Sequence, residues 1–177
     1  MRDPRPLTSE PLALDLVNTR WIDAAGPRDL LDDEAGLRVW LASAGFPDAP
    51  SGAAALHALR GAREAIRAAA EAPGDARARE SLNAVLARGR VRETLGADGL
   101  VRDVEVAGEA WRVPWLAARD LVDLLRSPGR LRVCAHPACV LHFYDASRSG
   151  RRQWCSMAAC GNRAKAARHY DRARRGR

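Results

Sequence analysis

Cysteine is missing from the first 133 residues of this 177-residue chain, and acidic side chains all but vanish after residue 126. Lysine occurs once, as Lys165, against 28 arginines, and aromatic residues make up only 5%. No apolar run approaches the roughly 20 residues that a membrane-spanning helix needs. The opening Met1-Arg2-Asp3-Pro4 lacks the apolar stretch of a secretion signal, so a cytoplasmic location without membrane partners is expected. His57 is the one histidine before residue 136. Neither a nucleophile–base pair nor a phosphate-binding glycine loop is visible, and the chain is not expected to be an enzyme.

What the chain has is alanine. Of the 47% that is apolar a large part is alanine, which points to helices packed through small side chains. The apolar periodicity predicts helices over 11–19 (opened by Pro11), 34–44 (Asp33 as N-cap, Gly45 as stop), 53–71, 76–88 (Asp75 before, Gly89 after) and 114–126, with Pro114 in the first position. Residues 100–113 alternate instead, which suggests a β-hairpin turning at Ala107-Gly108-Glu109. Ser127-Pro128-Gly129 then breaks the chain into a helical part, 1–126, and a second part, 130–177. The expected class is mainly α: a helical domain with a small hairpin, followed by a small four-cysteine domain ending in a basic helix. So short a linker implies that the two parts do not move independently.

The charge divides at the same place. Residues 1–126 hold 17 arginines and 20 acids, a balance of −3, whereas residues 127–177 hold 12 basic and two acidic side chains, a balance of +10. A block of this kind suits a polyanion, double-stranded DNA first. All four cysteines fall inside it. Cys134, Cys139, Cys155 and Cys160 form two C-x4-C pairs separated by fifteen residues, a pattern that can wrap one tetrahedral ion, and four thiolates suit Zn2+. His136 and His142 are near enough to replace a cysteine. A segment this short buries too little surface to fold alone, and an ion would supply the difference. Around the first pair, Arg132-Val133 and His142-Phe143-Tyr144 read as short strands, and residues from about 158 to 174 read as a helix. Lys165, Arg168, Arg172 and Arg175 form one stripe on that helix, with Arg148, Arg151 and Arg152 in the loop before Cys155 and Arg163 after Cys160. These eight are the expected nucleic-acid contacts, apart from one or two arginines that offset the charge of four thiolates on one ion.

The run Cys134…Cys139…Phe143…Asp145-Ala146-Ser147-Arg148…Arg152…Trp154-Cys155-Ser156-Met157…Cys160-Gly161-Asn162-Arg163…Lys165 resembles the CGNR zinc finger. Upstream, Leu14-Asp15-Leu16-Val17-Asn18-Thr19 resembles the opening motif of the ABATE domain, which precedes that finger in a family linked to stress-induced transcription. The resemblance covers nearly the whole chain. It implies DNA binding by the finger and sensing by the helical part. One departure is Ser149-Gly150, where another polar or basic residue would be expected. The resemblance also suggests that Asp145 orients the loop through Arg148. Asp15, Asn18 and Thr19 are polar residues in an apolar helix; they either line a small-molecule pocket or bridge neighbouring helices.

Four functions follow: a DNA-binding regulator; a zinc module for RNA or for a protein of the transcription machinery; a ligand sensor built on 1–126, or a scaffold or homodimer surface in its place; and, least supported, an enzyme.

Overall fold

The computed structural model describes residues 2–166. Arg168, Arg172 and Arg175, three of the four stripe residues, lie outside the described residues, as does the far end of the helix expected to residue 174.

Helix α1 (Leu12–Val17) enters behind Pro11 and buries Ala13, Leu14, Leu16 and Val17. A short hairpin follows, β1 (Arg20–Asp23) against β2 (Gly26–Asp29), turning at Ala24-Ala25 with Gly26 at φ +115°. After a 3-10 turn over Leu30–Asp32, α2 (Glu34–Ser43) begins at Asp33, whose carboxylate accepts the Gly36 N–H at 2.7 Å. This is the expected N-cap, and it satisfies one of the donors a helix start leaves open. Next comes α3 (Ala53–Glu71), the longest helix, and then α4 (Ala76–Leu86), capped by Asp75 as expected. Along α3, Ala55, Ala58, Ala62, Ala65 and Ala69 are buried among Leu56, Leu59 and Ile66. Small side chains on this face let α1, α4 and α5 (Arg112–Leu124) approach closely. Trp40, Leu37 and Leu41 of α2 and Leu121 of α5 close the same core.

The hairpin stands elsewhere than expected. Strand β3 (Gly89–Gly96) pairs with β4 (Gly99–Val106), and the turn is at Ala97-Asp98. Gly99 at φ +116° is the residue that lets it close. Gly108, expected to turn the hairpin, instead opens the 3-10 turn Glu109–Trp111 that leads into α5, so Pro114 sits at the third position of that helix rather than the first. Trp115 explains the difference. Its ring packs on Gly89, and its indole N–H donates to the Leu86 carbonyl at 2.9 Å, so it meets both the end of α4 and the start of β3.

The last part starts as β5 (Leu131–Val133) paired with β6 (His142–Tyr144), the two strands anticipated, and ends in a π-helical turn, Met157–Gly161, that continues as helix through 162–166. With three two-stranded hairpins among the described residues, the chain is helical with β-ribbons rather than simply mainly α. No described helix is long and apolar enough to cross a membrane.

A second apolar cluster lies around the cysteines: Leu141, Phe143, Cys134, Cys155 and Cys160, together with Trp21 from β1. Trp21 is 8% exposed and Phe143 fully buried. One large ring of this second core is therefore supplied from the first part of the chain.

Candidate metal centre and basic finger surface

The two cysteine pairs are presented by different local structures. Cys134 follows β5, and its backbone N–H bonds the Leu141 carbonyl at 2.9 Å. Cys139 closes a tight turn on the His136 carbonyl. Cys155 ends the loop after Arg152, and Cys160 lies in the π turn, where Ser156 caps by accepting the Ala159 N–H at its hydroxyl, 3.0 Å. Gly161 fits because its Cα lies against Met157 and Trp154, where a Cβ would meet the Met157 sulfur.

These four elements bring the four thiol sulfurs within 4.8 Å of one another. Cys139 and Cys155 are 3.8 Å apart, Cys155 and Cys160 3.6 Å. A tetrahedron with metal–sulfur bonds of about 2.3 Å has edges of about 3.8 Å, so the set fits one small tetrahedral ion. The Cys155 N–H reaches the Cys134 sulfur at 3.4 Å, the kind of outer hydrogen bond that steadies a thiolate. Crowding sets the thiols apart electrostatically. The hydrogen bond from Cys155 pulls Cys139 down to about 5. The same hydrogen bond pushes Cys155 up, and burial pushes Cys160 up to about 11. Neither candidate histidine joins the set. His136 Nδ1 accepts the Ala138 N–H at 3.2 Å, and His142 Nε2 faces Glu71 Oε1 at 3.1 Å.

The loop 145–152 is organised by Asp145, but not through Arg148. The Asp145 side chain is fully buried, and its two oxygens accept the backbone N–H groups of Ser147 (3.0 Å) and Arg152 (2.9 Å). Hydrogen bonding from Ser147 first, and from the Arg152 backbone, holds its carboxyl below the usual range. Arg130 and Arg132 complete the loop from β5 and the turn before it. The Arg130 guanidinium donates to the Asp145 and Ser147 carbonyls, and Arg132 donates to Gly150. Gly150 has φ +62°, and a Cβ there would press on the Arg130 guanidinium. The Ser149-Gly150 departure thus has a local reason.

The basic residues fall into two groups. Arg148, Arg151, Arg163 and Lys165 are exposed. Arg152 is not a free surface cation. Its guanidinium donates to the Trp154 and Cys155 carbonyls, lies 4.3 Å over the Phe143 ring and reaches Glu10 at 3.5 Å.

Asp15, Asn18 and Thr19 are buried, and each is engaged by protein partners. Asp15 takes hydrogen bonds from Arg5 (2.8 Å), Trp40 (2.9 Å) and the Ser9 N–H (3.0 Å). Thr19 donates to Leu16 and accepts from Arg63, which also grips both oxygens of Asp29. Asn18 is fully buried and bonds both backbone groups of His142, each at 2.8 Å. With every polar end engaged inside the protein, the bridging alternative is the one the geometry supports. The same seam includes Glu10, which accepts the Tyr144 N–H at 2.9 Å, and Trp21. Nothing in the local pattern around Glu10, Trp21 or Glu71 marks them as partners of a segment more than 70 residues away.

Two family models match the chain, and their order and bounds follow the structure. The first, ABATE, "Putative stress-induced transcription regulator", matches residues 10–128; the second, the CGNR zinc finger, matches residues 130–173. The chain belongs to the ABATE family and carries a CGNR zinc finger. No curated protein matches it. In ABATE terms, the opening motif around Asp15–Thr19 is the joint on which the finger's second strand is hung. In CGNR terms, the signature cysteine and glycine build the thiol cluster, and the arginine stands exposed beside it.

Proposed function

We propose that this ABATE-family protein is a zinc-containing, DNA-binding transcription regulator. Cys134, Cys139, Cys155 and Cys160 hold one Zn2+, and Arg148, Arg151, Arg163 and Lys165 face the phosphates of duplex DNA. The division into 1–126 and 130–177 is one of roles. The first part positions and the second binds, across a seam shared through Asn18, Glu10 and Trp21. Zinc held by four thiolates is redox-inert and leaves no open position, so it serves here as a structural staple.

The observation that carries the DNA reading is the one-sided charge of the finger's surface. Asp145 is the single acidic side chain of residues 130–166, and it is buried and spent on backbone N–H groups. Arg132, Arg148, Arg151, Arg163 and Lys165 are exposed, and the described finger residues offer them no other carboxylate. A single-stranded RNA reader needs aromatic faces for stacking. Among the described finger aromatics, Phe143 is buried beneath Arg152, and Trp154 and Tyr144 are half-buried, Trp154 against the thiol core, which favours the duplex.

The test is fluorescence anisotropy with zinc-loaded protein and labelled duplex DNA over a range of salt. Arg148→Ala and Arg151→Ala should each weaken binding to unrelated sequences alike and lower the salt slope by about 0.9. Binding that is absent, or indifferent to salt, would sink the reading.

A further inference from the structure

A cleft of about 720 Å³ opens where the first part of the chain meets the finger. Its walls come from three separate stretches: the N-terminal segment, the β1–β2 hairpin and the turns that carry the cysteines. It is the right size for a small organic ligand.

One wall of the cleft is apolar. Pro4, Pro6 and Ala24 are exposed along it, and Ile22 is 40% exposed. The rim is also preformed. Arg5, between the two prolines, is buried, forks onto Asp3 and bonds both the side chain and the carbonyl of Asp15, which pins that segment in place. Two cations face the same space, Arg28 from β2 and Arg163 from the finger. Each is steered at Nε: Arg28 by Asp23 at 2.8 Å, Arg163 by the Ala159 carbonyl at 3.1 Å. The terminal guanidinium nitrogens are therefore what a ligand would meet. Asp23 is the one acid of the lining, and its oxygens are taken by Arg28 and the Ala25 N–H, so the cleft keeps a positive balance.

From an apolar wall opposed to two oriented guanidiniums, we infer that this cleft binds a small amphipathic organic anion, a flat apolar body bearing one carboxylate, sulfonate or phosphate group. Charge-assisted contacts of Arg with such groups supply the specificity, and the prolines and Ile22 take the body. This places ligand binding at the seam rather than at Asp15, Asn18 and Thr19. The cleft also touches Trp21, which belongs to the thiol core, and Arg163, which the DNA reading counts among the phosphate contacts. A bound anion would then compete with DNA for Arg163. That consequence rests on the DNA reading; the binding itself does not.

The test is titration calorimetry of the full zinc-loaded chain with 8-anilinonaphthalene-1-sulfonate, an amphipathic anion, and with N-phenyl-1-naphthylamine, its uncharged counterpart. The expected result is one saturable sulfonate site, at least about tenfold tighter than the neutral compound. Arg28→Gln and Arg163→Gln should each weaken it about tenfold, and Ala24→Trp, at an exposed position, should block it. Leu95→Ser, which removes the most exposed large apolar side chain among the described residues, on the β3–β4 ribbon and outside the cleft lining, should change nothing. Circular dichroism and zinc content check that each variant folds. Equal affinity for the charged and neutral compounds in the unmodified protein would overturn the inference, as would absence of a saturable site or loss of binding in Leu95→Ser. Duplex DNA titrated alongside separates the two readings, since either can fail alone.

Discussion

Arg63 shows how much a single side chain can hold. It is 1% exposed on α3, yet its guanidinium spans Thr19 and both oxygens of Asp29, tying the chain just after α1, and β2, to the longest helix. Removing one partner of a buried ion pair is costly, but Asp29 keeps Arg20 at 2.9 Å, so Arg63→Ala should lower the unfolding free energy by about 3 kcal/mol, the low end for such a loss, in urea melts. Asp29 carries the matching acid dependence. Burial pushes its carboxyl up, but the hydrogen bonds from Arg63 and Arg20 outweigh burial and hold it below the ordinary 3.8. A depressed carboxyl contributes its stability in full above the unfolded value and loses it as pH falls through the folded one. The contribution of this pair should accordingly persist at pH 5 and drain away below about 3.8, and the difference between wild type and Arg63→Ala should shrink over that window. Asn18 is the corresponding case at the seam. Asn18→Ala leaves a buried N–H and C=O of His142 unpaired, at about 1–3 kcal/mol for each group. Hydrogen exchange at His142–Tyr144 should speed up well beyond that in α3. That Asn18 is special was legible in the chain, since a polar residue inside an apolar helix requires a partner. Which partner was not, because the backbone of residue 142 has no side-chain signature.

Among the elements, those with a 3.6-residue apolar repeat and a cap were readable, and α2, α3 and α4 stand within a residue or two of where Asp33, Gly45, Asp75 and Pro73 put them. The β3–β4 ribbon was half readable. Its second strand alternates Val104 and Val106 with Asp103 and Glu105, whereas the first, Arg90 to Leu95, is paired mostly by ions. Arg90 meets Glu105 and Arg102 meets Glu93, each at 2.7 Å. A strand exposed on both faces carries no burial signal, so only the turn at Gly99 betrays it. The β1–β2 hairpin is four residues a side and contains Pro27, too short for alternation to register. Glycine can act at this scale too. Gly36, in the first turn of α2, lies so close to the Leu30 carbonyl that a Cβ would occupy the same space. Gly36→Ala should push the 3-10 turn Leu30–Asp32 off the helix, costing about 1–3 kcal/mol or more in thermal melts. Gly61→Ala, on the open side of α3, should be neutral or mildly stabilising.

For the whole molecule, the thiol cluster and the helical core are separate stores of stability joined along one seam. The cysteine spacing and the step in charge at residue 126 made the finger legible from the chain, and the four sulfurs do converge. The interface between the parts was not legible, because it is made of single residues scattered from Glu10 to Glu71: Glu10 and Asn18 answer to backbone groups, Trp21 to an apolar cluster and Glu71 to a histidine ring. Metal loss should expose this architecture. A strong chelator should release one zinc per chain, and hydrogen exchange should rise across 131–166 while the amides of α3 and α5 stay protected. Uniform loss of protection would mean that the helical core depends on the metal as well. The loan of Trp21 to the thiol core also bears on ancestry. A finger cut out at Ser127-Pro128-Gly129 leaves behind the indole that fills its centre. Recombination that moved residues 130–177 onto a new helical partner would transplant an incomplete module, unless the recipient brought a tryptophan-bearing hairpin of its own. Inheritance of the two segments as a pair is what the packing favours.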